Sequence, residues 1–69
     1  MNRIETPKSS NIKFVEHDGK NLYVEFKTGG RYKYDNVPVQ VFETFRTAPS
    51  AGKYFISAIR NNYASTKLG

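Results

Sequence analysis

Two short stretches of strict alternation, separated by a pair of glycines, constrain the middle of this chain more than anything else in it. Leu22, Val24 and Phe26 alternate with Tyr23, Glu25 and Lys27, and Tyr32 and Tyr34 alternate with Arg31, Lys33 and Asp35. Side chains of a strand change face at every residue, so each stretch has one apolar or aromatic face and one charged face. Thr28-Gly29-Gly30 between them tolerates positive φ, and Asp18-Gly19-Lys20-Asn21 gives a second tight-turn signal just upstream. Ile12 to His17 is rich in strand formers, but its alternation breaks at Phe14-Val15, which predicts another strand carrying a bulge. The expected product is a three-stranded antiparallel meander from Ile12 to Asp35, with Gly30 to Asp35 as its central hairpin strand.

Such a sheet needs a cover, and the second half of the chain supplies one. Asn36-Val37-Pro38 stops the last strand, and Pro38 suits the first turn of a helix whose apolar stripe is Val41, Phe42 and Phe45, ending near Thr47. Ala48-Pro49 breaks that helix. Ser50 is then a natural N-cap, its hydroxyl accepting from the amide of Gly52 or Lys53. Phe55, Ile59 and Tyr63 recur every fourth residue, with Ile56 beside them, while Lys53 and Arg60 share another side. The fold class is therefore α+β: a three-stranded antiparallel β-meander followed by two short α-helices packed on one face. Residues 1–8 read as a flexible N-terminal arm, 9–64 as a single domain and 65–69 as a frayed C-terminus.

With 69 residues there is room for one domain and a thin core, which ten aromatic side chains are enough to fill. The absence of Cys excludes a disulfide framework and a thiolate zinc site, and the lone His17 cannot assemble a metal cluster by itself. No run approaches the roughly 20 apolar residues of a membrane span, and Met1-Asn2-Arg3 leads into no secretory h-region, so a cytoplasmic setting is expected. All six acidic residues lie between Glu5 and Glu43, leaving only Arg46, Lys53, Arg60 and Lys67 charged from Thr44 onward. With a net charge of +5, that one-signed region suits a polyanion or an acidic protein surface, and equally a merely solvated basic face.

Two uses of Tyr32 and Tyr34 are open. A helix must cover one sheet face, so they pack beneath it; or they stack on unpaired bases, with Arg31 and Lys33 on phosphates. Ser50-Ala51-Gly52-Lys53 resembles the end of a phosphate-binding loop, with Gly52 letting a phosphate approach, although N-capping explains Ser50 without a ligand and Tyr54 stands where such a loop needs Ser or Thr. His17 has no nucleophile or second base arranged for catalysis, and Glu16, Asp18 and Glu25 read as a solvated rim. No enzyme, no cofactor and no metal are expected.

Ser9-Ser10-Asn11-Ile12, Leu22 to Phe26, Gly30 with Tyr32-Lys33-Tyr34, Asn36-Val37-Pro38, and Ser50 to Phe55 followed by Ile59-Arg60 and Tyr63 together resemble the KTSC domain over about residues 8 to 63. The family is named for its occurrence at the C-terminus of some lysyl-tRNA synthetases and also occurs as stand-alone bacterial and phage proteins, the form this length suits. RNA binding is its usual suggested role. The chain departs from the family pattern at Ile56, where a polar residue is expected, and at His17, where a Tyr is. The resemblance and the basic, aromatic-bearing surface imply a small module for RNA or single-stranded nucleic acid, with Arg31, Lys33, Lys53 and Arg60 on phosphates and exposed Tyr residues on bases. The alternatives are a phage or bacterial adaptor or inhibitor docking on a host protein through Tyr23, Tyr54 or a sheet edge, and a binder of a small phosphorylated ligand at Ser50 to Lys53.

Overall fold

The computed structural model describes residues 2–6, 9 and 11–69. Five strands, β1 (Asn2–Glu5), β2 (Ile12–His17), β3 (Leu22–Phe26), β4 (Arg31–Tyr34) and β5 (Ser65–Lys67), form one antiparallel sheet in chain order, with α1 (Val39–Thr44) and α2 (Ala51–Ala58) between β4 and β5. The expected α+β class and its two helices are present; the sheet has five strands rather than three, and its centre is β3 rather than β4. Both added strands lie in the stretches expected to be a loose arm and a frayed end. In β1 only Ile4 is buried, opposite Val15, and in β5 every side chain is exposed, so neither carries the apolar contrast that betrays a strand. The parts of the arm at Met1, Pro7 and Lys8, and Ser10 at the entry to β2, lie outside the described residues.

Register explains which face is inside. Ile4 pairs with Val15, Val15 with Val24 and Val24 with Tyr32, while Leu22 joins His17 to Tyr34 in the next row. These rows meet Val37, Phe42, Phe45, Phe55 and Ile59 in one core beneath the helices. The bulge lies between Ile12 and Phe14, one residue earlier than the break in alternation suggested. It turns Phe14 to the outer face, where the Arg3 guanidinium lies 4.0 Å over its ring and keeps it dry.

The turns use the conformations their residues allow. Gly19 and Gly29 both have φ +102°, and Asn36 takes φ 55°, which a short polar side chain tolerates. The glycine that the β3–β4 turn needs for its positive φ is thus Gly29, not Gly30. Asp18 accepts from the amides of Asn21 at 2.7 Å and Lys20 at 2.9 Å, and these two bonds hold its carboxyl below the ordinary 3.8. Behind that turn, buried His17 donates from Nε2 to the Val37 carbonyl (2.6 Å), accepts at Nδ1 from the Gly19 amide (3.0 Å) and stacks on Phe42, tying β2 to the entry of α1.

Both helices are short. Pro38 stands at the N-cap of α1, one position before the first turn proper. The second helix ends at Ala58, so the four-residue spacing of Phe55, Ile59 and Tyr63 runs off the helix: Ile59 is its C-cap and Tyr63 lies beyond it. The Asn62 side-chain amide donates to the Ala58 carbonyl at 2.9 Å and so satisfies one of the free acceptors at that end. Among the described residues no helix is long and apolar enough to cross a membrane.

Candidate functional site

On the outer sheet face Arg31 and Lys33 are already engaged. Arg31 Nη2 lies 3.3 Å from Glu16 Oε1, and Arg3 Nη2 holds the other oxygen of the same carboxylate, also at 3.3 Å. Lys33 faces Asp35 (3.7 Å) and Lys13 faces Glu25 (3.6 Å). This face is a lattice of alternating charge with little field of its own, and a phosphate would have to compete with carboxylates for both residues.

Tyr32 and Tyr34 stand on the opposite face, as the alternation requires. Tyr34 is buried with its ring edge-on to Phe55 at 5.5 Å, and Phe26 meets both Tyr32 (5.8 Å) and Phe55 (5.5 Å) edge-to-face. Packing is therefore what these rings do, yet the cover is incomplete. Between β4, β5 and the end of α2 runs an open groove of ≈ 710 Å³ whose lining includes Phe26, Tyr32, Tyr34, Arg60, Asn61 and Lys67. Phe26 and Tyr32 remain partly buried beside the core. Among the described residues, Arg60, Lys67 and Lys53 make no ion pair, in contrast to Arg3, Lys13, Arg31, Lys33 and Arg46. Of these three, Arg60 and Lys67 line the groove.

Lys53 and Arg60 do not share one site. Arg60 sits beyond α2, its amide bonded to the Phe55 carbonyl, and borders the groove. Lys53 borders a separate hollow of ≈ 550 Å³ at the start of α2, with Ser50, Gly52 and Arg46; exposed Ile56 touches both. At that helix start Ser50 Oγ accepts from the Lys53 amide at 3.3 Å, the cap the sequence predicts. What approaches Gly52 closely is protein: a Cβ there would lie 2.8 Å from Asn11 Oδ1, which itself accepts from Ser9 Oγ at 3.0 Å. Ser9 Oγ also accepts from the Ile12 amide at 3.0 Å, so the entry to β2 is folded against α2.

Sequence reasoning flagged Tyr32, Tyr34 and Arg60 but missed that Phe26, Asn61, Ser65 and Lys67 complete their surroundings. Phe26 reads as plain core, and Lys67 falls in a stretch with no period at all. Its one signal is the lack of any acidic residue after Glu43.

The family model described as KTSC domain matches residues 8–63. A lysine–tRNA ligase of Trichormus variabilis is 34% identical over 64 residues, a match that takes in 90% of this chain and 11% of the ligase. The chain thus spans about a tenth of that relative's length. The crystal structure of a KTSC domain protein from Yersinia pestis superposes with a TM-score of 0.82 at 28% identity, covering 99% of this chain and 97% of that one.

Proposed function

The chain belongs to the KTSC domain family, and on that premise we propose that it is a small module that binds single-stranded nucleic acid, RNA above all, in the groove between β4, β5 and α2. The observation behind the reading is the meeting, in one open groove, of partly buried Phe26 and Tyr32 with Arg60 and Lys67, cations that no carboxylate of the described residues neutralises. Aromatic rings stack on any unpaired base, for about 1–3 kcal/mol per base, and cations on a strand's phosphates release counterions. A duplex hides its base faces, which is why single strands fit better. The relative named for joining lysine to tRNA supports RNA as the partner class. A small phosphorylated ligand at Ser50 to Lys53 has less support, since the cap already takes the Lys53 amide and Asn11 occupies the approach to Gly52.

Fluorescence anisotropy with labelled single-stranded and duplex RNA at several salt concentrations tests the reading. Affinity should favour the single strand and fall with salt. Arg60→Gln with Lys67→Gln should weaken binding across sequences and flatten the logarithmic salt slope by roughly 0.7 per phosphate contact removed. Arg31→Gln with Lys33→Gln, on the compensated face, should change neither by much. Equal losses from the two pairs would remove the groove from the proposal. No binding of any nucleic acid, with a protein recovered from nuclease-treated lysate, would favour the adaptor reading.

A further inference from the structure

Tyr34 combines deep burial with an unused donor. The residue is 5% exposed, yet among the described residues its hydroxyl has no protein hydrogen-bond partner, whereas the hydroxyls of Tyr54 and Tyr23 reach the Val41 carbonyl (3.2 Å) and Asp18 (3.1 Å). A buried phenol ordinarily finds a partner. Among the described residues no fully buried side-chain oxygen or nitrogen lacks one, so the Tyr34 oxygen must be where this side chain reaches the surface, and Tyr34 lines the groove. Beside neutral Asn, Ser and Thr side chains, the lining offers two phenols, and its charges are all positive, a guanidinium and an ammonium with no carboxylate or imidazole. That set welcomes a group that only accepts hydrogen bonds and carries negative charge.

Resting on the nucleic-acid reading, we infer that the groove holds a phosphate subsite in which the Tyr34 hydroxyl donates to a phosphate oxygen while Arg60 and Lys67 balance its charge. Burial, reinforced by Tyr32, raises the phenol above its ordinary 10.0 against the opposing charge of Arg60, so Tyr34 keeps its proton at neutral pH. Tyr32, Tyr34 and Arg60 all line the same groove. The phosphate can belong to an internal phosphodiester or to a strand's terminal phosphate, and the chemistry at Tyr34 is the same.

Tyr34→Phe tests the subsite by removing one oxygen and leaving the ring against Phe55. Because no internal hydrogen bond is lost, the melting temperature should hold. Affinity for single-stranded RNA should fall about tenfold or more, as expected for a hydrogen bond to a charged group. The salt slope should stay as in the parent, since no charge is removed, and this separates Tyr34→Phe from Arg60→Gln. Paired oligonucleotides with a 5′-phosphate or a 5′-hydroxyl identify the source: a loss on both points to an internal phosphodiester, a loss only on the phosphorylated strand to a terminal phosphate. Affinity within twofold of the parent, with Arg60→Gln still weakened, overturns the subsite and leaves the nucleic-acid reading standing. If the parent binds no nucleic acid, that reading fails, and titration with inorganic phosphate followed by NMR decides the subsite. Shifts at Tyr34 and Arg60 that Tyr34→Phe abolishes would keep it; no shifts overturn it.

Discussion

Gly29 and Gly30 sit side by side in one turn and answer to different physics. Gly29 has φ +102°, a region that an L side chain enters only with strain, although open space surrounds it. At Gly30 a Cβ would meet the Tyr32 ring at 3.6 Å and Phe26 at 4.0 Å, which is ordinary contact. Gly29→Ala should therefore cost about 1–2 kcal/mol, while Gly30→Ala should stay within about 0.5 kcal/mol of the parent, both read from urea denaturation. The reverse ranking would mean that the turn bends elsewhere. Much of the family-like signature is explained at this scale by architecture: Asn36 occupies left-handed backbone and donates its amide to Asn21, Val37 is buried against His17's hydrogen bond, and Ser50 caps α2. Tyr34 is the exception, a signature residue with chemistry left over.

At the scale of elements, the contact between the β2 entry and α2 is the one most open to test. Alanine at position 52 would improve a helix by up to about 1 kcal/mol over glycine, but its Cβ would push on Asn11 Oδ1 and part it from Ser9. Gly52→Ala should thus raise the melting temperature in an Asn11→Ala background and do less, or harm, in the parent. The coupling should be about 1 kcal/mol in a double-mutant cycle, and strict additivity would deny the contact. The sheet shows how far such contacts are legible in advance. Strands β3 and β4 declare themselves because Leu22, Val24 and Tyr34 alternate with more polar neighbours, and β2 does so by its run of strand formers in spite of the bulge. Strands β1 and β5 bury one side chain and none, so pattern is silent and only backbone pairing to a neighbour already in place creates them. The groove was half legible for the same reason. Tyr32, Tyr34 and Arg60 stand out in the sequence, but Lys67 joins them only because β5 returns to β4, and Lys53 and Arg60 border different hollows at opposite ends of α2.

For the molecule as a whole, stability should be graded across the sheet. Leu22 and Val24 of β3 are fully buried between two neighbouring strands, while β5 is held to β4 by the ladder around Tyr32 to Tyr34 and by flanking bonds such as Leu68 to the Arg31 carbonyl. Backbone hydrogen bonds alone contribute modestly in water, and an edge strand with no buried side chain has nothing else to resist opening. Native-state hydrogen exchange should therefore find the amides of β3 opening only with global unfolding, and those of β5 opening locally, with little dependence on added denaturant. Deleting residues 65–69 should leave the core and its cooperative unfolding intact, because none of the buried residues belongs to that segment. The same deletion removes Ser65 and Lys67 from the groove and should weaken single-stranded RNA at least as much as Lys67→Gln does. A truncated protein that unfolds, or β5 amides as protected as those of β3, would show that the last strand supports the core as well as walling the groove.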